Sequence, residues 1–119
     1  MPPSFLLNLN KQKMEIKIST TRGKSLIQKI FEHVESDART WTIKKSQEGL
    51  KLLTHSPKQW CDHALLNLTA TDTHVIVEIR YWKNQPVPSD SDKAIYIGRF
   101  IEMLLEDFKD DFETIEIIK

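Results

Sequence analysis

Cys61 and His63 stand two positions apart, with Asp62 between them and His55 six residues upstream. A thiol and an imidazole form a nucleophile pair when ring nitrogen and sulfur lie within hydrogen-bond reach. On an extended strand, positions i and i+2 share a face but stand about 6–7 Å apart. A direct pair therefore needs a bend, and Asp62 points to the other face. Zinc would need His55, Cys61, His63 and a fourth ligand to converge. The simpler expectation is a half-buried cysteine beside surface histidines. No catalytic residue, metal or cofactor is assigned.

Thr20-Thr21-Arg22-Gly23-Lys24-Ser25 ends like a phosphate-binding loop and falls between a strand and a helix. The full motif needs a glycine five positions before Gly23, where Ile18 stands. What survives is a weaker anion reading. Free N–H groups at the helix start, with Arg22, Lys24 and Ser25, are the anion-binding candidates.

Trp41, Trp60, Tyr81 and Trp82 are the aromatic residues with an interface character, and Trp is a common interface anchor. Tyr81 and Trp82 are adjacent on a strand, so they point to opposite faces. Two helices cover only one face. The other is expected to carry Ile76, Glu78, Arg80 and Trp82, with Trp41 on or near it. Such an open face invites a protein partner or a second copy of the chain.

Glu102, Glu106 and Asp110 follow at four-residue spacing, and Asp107, Asp111, Glu113 and Glu116 add to the acidic stretch. Like charges at i and i+4 mildly oppose a helix, and acids near its end oppose the dipole. A basic partner would offset that cost; so would ordinary solvation.

The positioning elements are legible from spacing. Met14, Ile16 and Ile18 alternate on a strand. Leu26, Ile27, Ile30, Phe31 and Val34 mark one stripe of a helix ending near Ser36. Trp41 and Ile43 share a strand face. Gly49 sits in the turn to a hairpin partner at Leu50–Leu53. Residues 66–70 alternate again. Residues 75–82 read as the strongest strand, being rich in β-branched and aromatic residues. Val75, Val77, Ile79 and Tyr81 face one way. Ser89 or Asp90 caps a second helix with the stripe Ile97, Phe100, Ile101, Leu104, Leu105, Phe108 and Phe112. Residues 114–118 close with a short strand.

The order is β-α-β-β-β-β-α-β. It predicts an α+β, two-layer sandwich: a mainly antiparallel sheet of five or six strands with two helices on one face. Residues 14–119 form one domain. Residues 1–13 read as an N-terminal extension, frayed or carrying an arm through Phe5, Leu6, Leu7 and Leu9.

Bulk properties restrict the function classes. Lys+Arg and Asp+Glu are both 17 in 119 residues. That balance weighs against a nonspecific nucleic-acid binder, which gains affinity from positive charge. The charge is segregated, with 11 basic against 5 acidic residues in 1–60 and 6 against 12 in 61–119. A single cysteine excludes an internal disulfide and fits a reducing compartment. No apolar run is long enough to span a membrane, and the start lacks a signal-peptide pattern. The expectation is a cytoplasmic, non-enzymatic protein-interaction module acting as adaptor, regulatory subunit or inhibitor. Its candidate contacts are Trp41, Ile76, Glu78, Arg80, Trp82, Glu102, Glu106 and Asp110. One alternative is a small enzyme or ligand binder using Arg22, Lys24, Cys61 and His63. Another is a nucleic-acid binder using Lys17, Arg22, Lys24, Lys44, Lys51 and Trp41.

Overall fold

Alternation and helical spacing convert into the expected elements. The structure is a computed structural model and describes residues 6–8, 12–36 and 40–119. The elements are β1 (Glu15–Ser19), α1 (Gly23–Ser36), β2 (Trp41–Lys45), β3 (Lys51–His55), β4 (Leu65–Ala70), β5 (His74–Arg80), α2 (Asp90–Asp107) and β6 (Ile115–Ile118). A single 3-10 turn, Lys109–Asp111, links α2 to β6. The fold is the expected α+β sandwich. Its six-stranded sheet has the spatial order β2-β3-β4-β5-β1-β6, with every neighbouring pair antiparallel.

Period-two alternation decides which side chains meet the helices. Val75, Val77 and Ile79 of β5 are fully buried, while Ile76, Glu78 and Arg80 are half-buried on the opposite face. Ile16 and Ile18 of β1 join the same core as Leu26, Ile30 and Val34 of α1 and Tyr96, Ile97, Phe100 and Leu104 of α2. Gly49 has φ 90°, as its turn position requires.

The second helix departs in detail from the expected stripe. Its N-terminus forms a capping box, in which the Ser89 hydroxyl accepts from the Asp92 N–H and the Asp92 carboxylate accepts from the Ser89 N–H. The helix ends at Asp107, so Phe112 lies beyond it. Leu105 is 54% exposed and does not belong to the buried stripe. Lys93, Tyr96 and Met103 are buried instead. The stripe centres on Phe100, and Leu105 falls one 100° step past Leu104, over the edge of the contact.

The sheet face away from the helices also carries a buried cluster. Leu7, Leu52, Leu65 and Trp82 pack there, with Trp82 only 2% exposed. Leu7 forms an antiparallel bridge with Trp82. The Asn8 N–H donates to the Tyr81 carbonyl at 2.9 Å, and the Lys83 N–H to the Leu6 carbonyl at 2.8 Å. The expectation that Trp82 lies on an open face is corrected accordingly. Residues 6–8 supply the cover that counting helices had left out. The rest of the expected N-terminal extension falls largely outside the described residues.

Candidate functional site

Gly23 explains the phosphate-loop resemblance in structural terms. A Cβ there would meet the Ala70 Cβ at 2.9 Å, with the His74 carbonyl oxygen at 3.3 Å. The glycine lets the first turn of α1 approach the β4–β5 turn. Arg22 lines a cleft of about 430 Å³ together with Asp110, Asp111 and Glu113, whose carboxylates oppose an anion. Lys24 and Ser25 are exposed.

Cys61 and His63 are turned to different partners. Pro57 ends β3 and starts a turn in which the Trp60 and Cys61 N–H groups both donate to the Pro57 carbonyl at 2.9 Å. Asp62 then takes φ 62°. The Cys61 thiol donates to the Asp62 carboxylate at 3.7 Å, while His63 Nδ1 lies 3.5 Å from the Asp92 carboxylate. Burial and the Asp62 charge push the Cys61 thiol up, away from a thiolate. Among the described residues, no group of three or more His, Cys, Asp or Glu is placed to hold a metal ion.

The interface candidates divide into two sets. Trp41 and Trp82 are buried, so neither ring is offered to a partner or a nucleic-acid base. Ile76, Glu78 and Arg80 lie half-buried, and Arg80 pairs with Glu78 at 3.6 Å. Trp82 Nε1 donates to Asp62 at 2.9 Å, with Lys44 at 3.8 Å from the same carboxylate. Of the remaining nucleic-acid candidates, Lys51 lies over the Phe31 ring. Glu102, Glu106 and Asp110 are exposed.

A cleft along α2 brings together Glu102, His55 and Trp60, which the sequence named separately, with Ala94 and Gly98, which it did not. Ala94, Gly98 and Glu102 occupy successive i, i+4 positions and are all exposed. They line a cleft of about 540 Å³ together with Pro57, Gln59, Trp60, His55 and Thr40. A Cβ added at Gly98 meets nothing within 4 Å. The Trp60 stretch is held by buried hydroxyls. The Tyr96 hydroxyl donates to the Trp60 carbonyl. Thr54 Oγ1, 3.0 Å from that hydroxyl, donates to the Ala64 carbonyl and accepts from the Asp62 N–H. Burial pushes the Tyr96 phenol up, so it remains a donor.

His55 is 3% exposed and stacks on Trp41. Burial lowers its pKa, outweighing the opposing hydrogen bond to Thr40. The neutral ring gives its one proton to the Thr40 carbonyl from Nδ1, at 2.9 Å. Nε2 is then a bare acceptor, and it is buried without a hydrogen-bond partner. The sequence signal was present in His55 itself, a histidine closing an apolar strand. What it faces is set by residues about 40 positions away.

No protein family matches the chain, and no curated protein or solved structure matches it either. Among the described residues, no helix is long and apolar enough to cross a membrane.

Proposed function

We propose that the protein is a non-enzymatic protein-interaction module that meets its partner along α2. One observation carries this reading. The uncovered face of α2 runs from the cleft at Ala94, Gly98 and Glu102 into an exposed row that nothing in the described chain neutralises. Glu102 is paired with Arg99 at 3.4 Å, but Glu106 and Asp110 have no cation partner among the described residues. Leu105 stands exposed between Glu102 and Glu106. An exposed apolar side chain with carboxylates near it suits a partner that offers an apolar contact beside basic groups.

The interface differs from the sequence expectation in its anchors. Trp41 and Trp82 stabilise the fold, and the contact moves to Leu105 and the cleft. Carboxylates along the helix steer approach and are screened by salt.

A tagged bait tests this against lysate of the native organism, followed by binding of the purified partner. One stoichiometric partner is expected, with association weakening as salt rises. The double variant Glu106→Lys and Asp110→Lys should lose affinity at least tenfold while keeping its urea midpoint. Unchanged affinity in that variant, or no partner for a folded bait, overturns the reading.

A further inference from the structure

We propose that the outer edge of β6 is a self-association site: a second copy of this chain adds its own β6 antiparallel to the first, about a twofold axis at Ile117, and joins the two sheets into one.

The backbone shows what that edge offers. β6 ends the sheet, with β1 on its inner side. The Ser19 N–H donates to the Thr114 carbonyl at 2.9 Å, one step beyond the Ile18–Ile115 pair. Successive residues of a strand direct their backbone groups to alternate sides, so Thr114, Glu116 and Ile118 bond toward β1. The Thr20 N–H, which donates to the Thr73 carbonyl on the β5 side, fits the same alternation. Ile115 and Ile117 therefore aim N–H and C=O outward, where no partner meets them among the described residues.

The side chains leave this edge unguarded. Ile117 is 52% exposed, and among the described residues no other strand exposes a large apolar side chain. Its register partner Ile16 is fully buried, so Ile117 lies on the helix side of the sheet, at the margin where cover ends. Native sheets commonly protect edges with lysines, prolines or bulges. β2, at the other end, carries Lys44 and Lys45. β6 reads Ile-Glu-Ile-Ile, and its single charge, Glu116, stands opposite Lys17 of β1.

Symmetry and charge select the occupant and its register. Two identical strands paired antiparallel close about a twofold axis, whereas β6 against the β2 edge of another copy would build an open-ended filament. With the axis at Ile117, each Ile117 exchanges both bonds with its counterpart, and Ile115 exchanges with Lys119 of the second copy. The two isoleucines become a cross-strand pair, each covering the other. Glu116 then faces Ile118 of the second copy. With the axis at Glu116, two carboxylates would stand opposite in a non-hydrogen-bonded pair, the closest spacing in an antiparallel sheet, where like charges destabilise. The contact uses about five residues a side, against about 20–30 in a standard stable interface. The dimer is therefore weak and reversible, forming at high protein concentration. It makes no use of the α2 face.

The test is sedimentation of the full chain from micromolar to millimolar concentration, with amide hydrogen exchange at both ends of the series. A reversible monomer–dimer equilibrium is expected. The Ile115 and Ile117 amides should exchange fast in the monomer and slow as the dimer forms. Glu116 and Ile118, bonded to β1, should stay protected throughout. A purely structural role for β6 would not separate alternate amides by concentration. Ile117→Pro removes the outward N–H without taking a bond from β1. It should weaken the dimer about tenfold or more, the worth of a pair of net hydrogen bonds, with little change in urea midpoint. Ile117→Lys, which adds a charge to the edge, serves if the proline variant does not fold. For the register, Ile117→Cys and Glu116→Cys are compared in a Cys61→Ser background. Oxidative cross-linking should be faster at position 117, where the twofold-related Cα atoms stand about 5.5 Å apart. Faster cross-linking at position 116 overturns the register. A monomer at every concentration, a dimer undiminished in the position-117 variants, or protection that arises at β2 instead overturns the proposal. Protection of Ile115 and Ile117 only when the captured partner is added overturns the second copy and assigns the edge to a strand of that partner.

Discussion

Trp41 and His55 face each other across the β2–β3 pair and stack with ring centroids 4.2 Å apart and planes 23° from parallel. The edges of Tyr96 and the Trp41–Phe100 contact close the pair from α2. This stack ties the sheet edge to the second helix. It also keeps an imidazole away from water, and that has a consequence for pH.

The His55 ring, lowered by burial, faces Arg99, which pushes it further down, and Glu102, which opposes; its bond to Thr40 also opposes. Unfolded, it titrates near 6.5. As pH falls through 6.5 toward the lower folded value, the unfolded chain takes up a proton that the folded chain refuses. Stability therefore drops over that window, and the contribution is fully present above it. His55→Asn keeps a donor for Thr40 and removes the titration. Urea midpoints at pH 7.5 and 5.5 should differ more in the wild type than in this variant. Equal differences would show that His55 does not titrate across folding.

Gly23 and Gly98 should respond in opposite directions to alanine. At Gly23 the new Cβ stands 2.9 Å from the Ala70 Cβ, with backbone behind it, so the helix start or the strand must move. A loss of about 1–3 kcal/mol is expected from such overpacking. At Gly98 the Cβ enters open space on a helix, and a gain of about 1 kcal/mol is expected. Paired urea titrations read both. A gain at Gly23 would mean that α1 is not held as close as described.

Trp82 behaves as a core residue. Trp82→Ala should cost about 3–5 kcal/mol, the range for buried aromatic truncation. Trp82→Phe keeps most of the packing but strips Asp62 of its indole donor. About 1.5–3 kcal/mol is expected, as for other hydrogen bonds to charged groups. Leu7→Ala should add to Trp82→Ala by less than its separate cost, because the two side chains share one cluster. A fully additive double-mutant cycle would place residues 6–8 elsewhere in solution.

Ser89→Ala removes one half of the capping box that begins α2. A loss of about 1 kcal/mol is expected. The cleft lies two turns further on, so affinity for the partner measured on the folded variant should stay within twofold. A larger drop would show that the start of α2 sets the position of Gly98.

The sequence by itself determined the elements and their inward faces. Alternation at Val75, Val77 and Ile79 and the 3–4 spacing of Leu26, Ile30 and Val34 are local regularities, fixed by the pleat and the helical turn. The Ser89 cap and the Gly49 turn are equally local. Tertiary structure alone decided what covers each face and what meets across it. Trp82 was legible as pointing away from the helices, but Leu7, 75 residues earlier, buries it. Leu105 was expected in the buried stripe and Met103 was not, and the angle at which α2 meets the sheet exposed the first and buried the second. The cleft unites Thr40, His55, Trp60 and Gly98 from separate stretches. Spacing along a chain carries no record of that meeting, because it depends on long-range packing between elements.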